Sequence, residues 1–250
     1  MVVYVKGVIL AGGTGSRLSP LTKVTNKHLL PVYDEPMIFK VIKTLTKSGI
    51  RDITIVLGGE SVGDFVRLLG DGRELGARIT YVYQRGSGGI AEALYLTRHI
   101  VEGYKTAVLL GDNIFEDTFT KDVLDWESRE DKCGCKIFLK VVDDPERFGV
   151  AEFYKGKITS LVEKPIFPKS KYAVTGLYFY DVDLFTYIDY QIENIGYSTR
   201  RELEVTDLNK LYLENNLIDY QIVEGFWSDA GTFETLLKSS NFIKGKSDRK

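Results

Sequence analysis

The residues best suited to chemistry stand close together near the start of the chain, in GVILAGGTGSRLSPLTKVTNKHLLP from Gly7 to Pro31. An apolar run, Val8-Ile9-Leu10, enters a turn holding Gly12, Gly13 and Gly15, with Arg17 just beyond it and Lys27 further on. Glycine permits positive φ and lets a ligand approach the backbone without meeting a Cβ. Successive N–H groups in such a turn form a concave anion site, and an arginine adds a planar fork matched to phosphate oxygens. The pattern therefore predicts a strand, a phosphate-wrapping loop and two cations aimed at one anion. A glycine-rich turn after a strand is also a common structural feature. No G-K-[ST] follows it, so it is not a P-loop, and Leu18 stands where the dinucleotide fingerprint has its last glycine.

Acidic residues supply the next candidates. Asp112 closes a buried run in L-L-G-D-N, where a carboxylate can hold Mg²⁺ beside phosphate oxygens, although Asp-Asn is equally a turn signal. Asp229, in W-S-D-A-G-T, also follows a predicted strand and precedes a helix, and its small neighbours leave room for a ligand. Glu163-Lys164-Pro165 ends another strand, since proline stops the ladder; a solvated turn with a surface ion pair accounts for it equally well. Gln84 ends a third strand ahead of Gly86-Ser87-Gly88-Gly89, and its amide can donate and accept side by side, as the edge of thymine or uracil requires. Cys133 and Cys135 are too close for an unstrained disulfide and too few for a structural zinc site, so both are read as reduced thiols without a role. His99 reads as a surface residue of a helix. The sequence offers no Ser-His or Cys-His pair for covalent catalysis.

Positioning these groups needs a scaffold of alternating elements. Strands are expected at Val8–Leu10, Ile53–Leu57, Ile79–Tyr83, Val108–Leu110 and Ile137–Val142. Helices after Pro36, around Phe65–Leu69, over Ile90–Val101 and around Val123–Trp126 separate them. That alternation implies a parallel sheet, whose ligands gather beyond the carboxyl ends of the strands. After Pro145 the strands come closer together (Val150–Phe153, Ile158–Val162, Ala173–Tyr180). Helices then return at Val182–Tyr187, Leu208–Leu213 and Thr232–Phe242, with a strand at Ile218–Val223 and a frayed end after Ile243. The fold class is α/β, Rossmann-like and doubly wound, with a mostly parallel mixed sheet and a smaller antiparallel extension.

A chain of 250 residues can bury roughly three-quarters of its unfolded surface without disulfide staples. Its composition, 44% hydrophobic and 27% charged, is that of an ordinary globular protein. The net charge of −2 argues against a broad nucleic-acid footprint, so any anion site must be local. No signal-type segment opens the chain and no run reaches the roughly 18 apolar residues of a membrane span. The expected setting is cytoplasmic, away from membranes.

The string G-G-x-G-x-R-L-x-P-L-T followed by N-K-H-L-L-P resembles the signature of the sugar-1-phosphate nucleotidyltransferases, closest to their short, thymidylyl-transferring members. The likeness recurs in L-L-G-D-N, R-F-G-V, E-K-P, A-V-T-G-L-Y, R-R-E-L-E-V-T-D and W-S-D-A-G-T. It implies one domain, with a nucleotide-binding half over about residues 1–143 and a sugar-binding half with the C-terminal helices over about 144–250. Nucleotide contacts are implied for Leu10, Gly12, Gly13, Thr14, Gly15, His28, Gln84 and Gly89. Asn113, Gly149, Glu163, Val174, Thr175, Tyr178 and Arg200 are implied for the sugar phosphate, Asp112 and Asp229 for Mg²⁺, and Arg17, Lys27 and Lys164 for catalysis. Three departures stand out: Arg201 where the family has glycine, His28 where it frequently has Gln, and Glu92 where it has Gln.

The implied activity is Mg²⁺-dependent transfer of a nucleotidyl group from dTTP to glucose 1-phosphate, with release of pyrophosphate, for nucleotide-sugar and polysaccharide biosynthesis. UTP is the alternative nucleotide, since Gln84 suits both bases. A non-catalytic nucleotide-sugar sensor would be expected to lose Arg17 or a metal aspartate. A glycosyltransferase would want a D-x-D motif where this chain has Asp112-Asn113-Ile114. Homo-oligomers are the family expectation.

Overall fold

The computed structural model describes residues 4–248. In chain order, β1 (Lys6–Ala11) leads through three short 3-10 turns to β2 (Pro31–Val32), β3 (Glu35–Pro36) and helix α1 (Met37–Lys47). Next come β4 (Asp52–Gly58), α2 (Val62–Leu69), β5 (Arg78–Gln84), α3 (Ile90–Tyr95), α4 (Arg98–Val101) and β6 (Thr106–Leu110). β7 (Asn113–Phe115), α5 (Thr120–Ser128), β8 (Cys135–Val141), β9 (Gly149–Tyr154), β10 (Lys157–Glu163) and β11 (Tyr172–Tyr180) follow. The last elements are α6 (Leu184–Asn194), α7 (Val205–Glu214), β12 (Ile218–Ile222), β13 (Trp227–Asp229) and α8 (Phe233–Ser247). This is the α/β architecture with a mostly parallel mixed sheet that the strand–helix alternation predicted.

The chain divides into two compact units that interleave in sequence. The first comprises Lys6–Ser87, Leu109–Leu124 and the chain from Gly225; the second comprises the chain up to Val5, Gly88–Val108 and Asp125–Glu224.

In the first unit β1, β4 and β5 run parallel, with Gly7 opposite Ile53 and Asp52 opposite Arg78. Val8, Ile9, Ile53, Ile55 and Val56 are fully buried, as expected of parallel strands covered on both faces. Helix α1 buries Met37, Ile38, Val41, Ile42 and Leu45, which share one face of the helix. Gly49, at φ 100°, takes the left-handed position just past its end. β7 and β13 form a separate antiparallel pair, with Asp229 opposite Asn113. Ile114 and Ala230 pack there with Val32 and Met37, and Phe226, Leu236 and Ile243 cover the cluster. Thr232 and Thr235 cap α8 reciprocally. That helix continues to Ser247, so residues 244–247 are helical where a frayed end is expected. Lys246 near its end pairs with Glu116 at 3.0 Å, where a cation also suits the helix dipole.

In the second unit β11 pairs antiparallel with β8 and β9, β10 pairs antiparallel with β9, and β12 joins β8 in parallel. Phe138, Phe179 and Trp126 form its aromatic centre, with ring centroids 5.0 and 5.9 Å apart. The single helix expected over Ile90–Val101 is two, because the chain turns at Leu96-Thr97. There the Thr97 hydroxyl bonds the carbonyl of Leu94 at 2.7 Å, competing with the helical ladder. No helix among the described residues is long and apolar enough to cross a membrane.

Candidate active site

The glycine loop begins where β1 ends, and each glycine has a physical reason. A Cβ at Gly12 would lie 3.0 Å from Oε1 of Gln84, and one at Gly13 3.4 Å from Cε of Lys27. At Gly15, φ is 67° and a Cβ would come within 2.8 Å of the Lys27 stem and 2.9 Å of Thr22. At Gly15 close approach and left-handed backbone together exclude a larger residue, whereas at Gly12 and Gly13 the bare backbone leaves room for the ends of Gln84 and Lys27. The loop is braced by the Thr22 hydroxyl, which donates to the Gly15 carbonyl at 2.9 Å. Thr14 is exposed, whereas Leu10 is buried and its carbonyl accepts from Gly111 N–H at 2.9 Å. That bond joins the start of the loop to the turn carrying Asp112.

Lys27 and Asp112 form a short ion pair with both side chains largely buried. Burial pushes the Asp112 carboxyl up, but Lys27 first, then His28 and the Asn113 amide, more than offset this. The group is held well below the usual carboxylate range, and ionised. The Asn113 amide donates to Asp112 at 2.9 Å and accepts from the Trp227 indole at 2.7 Å. Asn113 thus orients the aspartate, whatever it does toward a sugar hydroxyl. Ala230 N–H bonds the Asp112 carbonyl at 2.7 Å, and the β7–β13 register brings Asp229 alongside the same turn. Arg17 completes the group. A Cβ on Gly231 would lie 3.0 Å from its Nη2 and 3.4 Å from Oδ2 of Asp229, so both side chains border the space that Gly231 leaves open.

His28 lies in the interior. Its ring covers Gly111, where a Cβ would fall 2.7 Å from the imidazole, and its Nδ1 is 2.6 Å from Oδ1 of Asn26. Burial, then the neighbouring Lys27 charge, lowers its pKa from 6.5 to about 3, so the ring is neutral. Its place beneath the Asp112 turn is that of a support. Gln84 is also buried, with its amide against Gly12.

The second unit gathers the remaining candidates. A Cβ at Gly149 would stand 3.2 Å from the Thr206 hydroxyl, 3.5 Å from Glu163 Oε2 and 3.7 Å from Val174, which places all three around one bare stretch of backbone. The Thr206 hydroxyl donates to Glu163 at 2.6 Å. Lys164 has φ 43°, uncommon for a side chain other than glycine and more so before proline. Its N–H bonds the Phe148 carbonyl at 3.0 Å, and its ammonium lies 3.4 Å from Glu163. Such local strain recurs at functional sites. In β11 the register against β8 shifts between Val174 and Tyr178. Inside that shift the buried Thr175 hydroxyl is taken by the Phe138 carbonyl at 2.8 Å. Tyr178 is buried and stacked on Tyr180 at 6.1 Å. Arg200 is held by Glu204 and Glu163. Gly89, at φ 99°, abuts the Leu203 backbone, which a Cβ would approach to 2.6 Å.

Glu204, Thr206 and Trp227 escaped the sequence reading, although the first two stand inside R-R-E-L-E-V-T-D beside Arg200. Their signal was the motif itself; a lone Glu, Thr or Trp carries none.

The nucleotidyl transferase family matches residues 6–246. A glucose-1-phosphate thymidylyltransferase of Neisseria meningitidis is 41% identical over 243 residues, 96% of this chain and 82% of that protein. One of Xanthomonas campestris pv. campestris is 43% identical over 242 residues, 96% of this chain and 80% of its own. Among solved structures, one from Bacillus anthracis, provisionally assigned as a glucose-1-phosphate thymidylyltransferase and in complex with sucrose, superposes with a TM-score of 0.88. It is 47% identical, over 95% of this chain and 94% of the other.

Proposed function

This chain belongs to the nucleotidyl transferase family, and we propose that it joins dTTP to glucose 1-phosphate, giving dTDP-glucose and pyrophosphate. The observation that carries this reading is the cluster of the first unit: Lys27 on Asp112, and Arg17 with Asp229 at Gly231, next to a loop of glycines. A nucleotide-sugar sensor would be expected to lose Arg17 or a metal aspartate, and this chain keeps both.

The obstacle in this reaction is repulsion, since a nucleoside triphosphate carries nearly four negative charges and a sugar phosphate about two, and catalysis rests on positioning and neutralisation. A sugar-phosphate oxygen attacks the α-phosphorus in line as the bond to the leaving pyrophosphate breaks. Lys164 and Arg200 hold the attacking phosphate, and Glu163 takes sugar hydroxyls beside Gly149. Arg17 stabilises the departing β- and γ-phosphates, and Lys27 shares the charge that develops. Gln84 reads the pyrimidine. No covalent intermediate with the protein is required.

Asp112 and Asp229 suit Mg²⁺. They are two carboxylates brought to one turn by the β7–β13 register, and one of them is held ionised. Mg²⁺ is commonly held in this way, by one or two carboxylates with substrate phosphates completing its shell. When bound, the ion neutralises phosphate charge. We further infer a cytoplasmic homo-oligomer from the family resemblance.

The test is a coupled pyrophosphate-release assay with dTTP, UTP, CTP, ATP and GTP against glucose 1-phosphate, with Mg²⁺ and with a chelator. Release with dTTP and Mg²⁺, abolished by the chelator, is expected. Preference for UTP would reassign the nucleotide, and no release with any triphosphate would refute the reading.

A further inference from the structure

Arg200 is ringed by carboxylates. Its Nη2 lies 2.8 Å from Glu204 Oε2, 3.1 Å from Glu163 Oε1 and 3.6 Å from Glu202 Oε2, and its Nε lies 3.2 Å from Glu204 Oε1. A guanidinium meant for a phosphate dianion must give up some of these partners, because an anion of that charge is repelled by three carboxylates. The three are not equivalent. Glu202 is the most distant and the most exposed, and Glu163 divides itself between Arg200 and Thr206.

Glu204 differs in burial, grip and support. Its side chain is 11% exposed, against 26% for Glu163 and 36% for Glu202. It is the one that engages two guanidinium nitrogens, and its Oε1 also accepts from the Ser198 hydroxyl at 2.7 Å. The backbone beneath it is pinned: its carbonyl accepts from the buried Gln191 amide at 2.9 Å, and α7 starts at the next residue. The preceding Leu203 is bonded on both sides, to the Gly88 carbonyl at 2.7 Å and the Ala91 N–H at 3.1 Å. Arg200, by contrast, sits in an exposed turn closed by the 2.8 Å bond from Arg201 N–H to Ser198.

We propose that Glu204 is the positioning residue for Arg200. It fixes the Nε–Nη2 edge of the guanidinium, so that the Nη1 side meets the sugar phosphate while Glu163 and Glu202 release their hold. The proposal rests on the reading that Arg200 binds that phosphate. Arginine is a rotamer-rich side chain, and holding it in place beforehand removes an ordering cost from binding. Loss of the anchor should therefore act on sugar-phosphate affinity and not on nucleotide affinity.

The experiment is a double-mutant cycle in steady-state kinetics, with wild type, E204Q, E204D, R200A and R200A/E204Q. In E204Q the KM for glucose 1-phosphate should rise about tenfold while that for dTTP stays within about twofold; E204D should recover part of the loss. In the R200A background E204Q should add less than about twofold, because no guanidinium remains to be held. Equal effects on both KM values, or a full tenfold effect without Arg200, would overturn the proposal in favour of a general structural role. Should E204Q fail to fold, S198A replaces it in the cycle. It removes the hydroxyl on Oε1 and should give a smaller change of the same sign that vanishes with R200A; persistence there would overturn the proposal equally. A wild type inactive with every triphosphate refutes the assigned function, whereas an active wild type with an unchanged E204Q refutes only the role of Glu204.

Discussion

Acidification should cost this protein stability through one ring, and the size of the loss follows from where that ring sits. His28 is buried over Gly111, and burial, then the Lys27 charge beside it, brings its pKa from 6.5 to about 3. An unfolded chain takes up this proton near pH 6.5, whereas the folded one refuses it until about pH 3. Between those values the unfolded state binds more protons, so stability is fully present above pH 6.5 and falls as the pH falls. Each pH unit in the window costs about 1.4 kcal/mol, so His28 alone should remove about 2–3 kcal/mol between pH 6.5 and about pH 4.5. That is a large share of the roughly 5–15 kcal/mol that keeps a typical domain folded. Carboxyls also titrate near this window, Asp112 and Asp181 among them. Asp112 is held below its ordinary range and weakens the fold only as the pH falls below about 4. Asp181, whose pKa burial raises, acts with the opposite sign, favouring the folded state as the pH falls toward its unfolded value. Comparison with H28Q isolates the ring, since Asp181 is untouched by the change, Asp112 titrates below the window, and Gln keeps a donor for Asn26 and cannot take a charge. Urea unfolding at several pH values from about 7 to about 4.5 is the assay. The wild type should lose about 2–3 kcal/mol more than H28Q across the window. Parallel profiles would refute the claim that His28 is buried and neutral.

Two further substitutions test the site and its scaffold. Arg17→Ala should lower kcat by about a hundredfold or more while dTTP affinity, measured by calorimetry, changes little, because the contact strengthens as charge reaches the pyrophosphate; equal losses in both would remove Arg17 from that role. Arg201, at φ 60°, holds a left-handed conformation that costs a side chain about 1–2 kcal/mol, part of which glycine's unfolded-state entropy returns. Arg201→Gly should accordingly raise the urea midpoint by an amount equivalent to about 0.5–1 kcal/mol.

The family pattern has glycine at position 201, and here Arg201 holds the left-handed conformation that glycine adopts freely. The parallel strands were legible because Val8-Ile9-Leu10 and Ile53–Leu57 are apolar runs bounded by glycines, a local signal. The glycine loop was legible for the same reason, since Gly12, Gly13, Gly15 and Arg17 lie within six residues of one another. What could not be read was long-range pairing. Three-residue strands such as β7 and β13 are too short to show a period, yet their register is what brings Asp229 to the Asp112 turn from more than a hundred residues away. Nor does a sequence distinguish the buried Glu204 from the half-buried Glu202 two positions earlier. Only the pinned backbone around Leu203 makes one an anchor and leaves the other at the rim. Which carboxylate holds an arginine for its phosphate is therefore decided by burial and by the stiffness of its own support, and neither belongs to residue type.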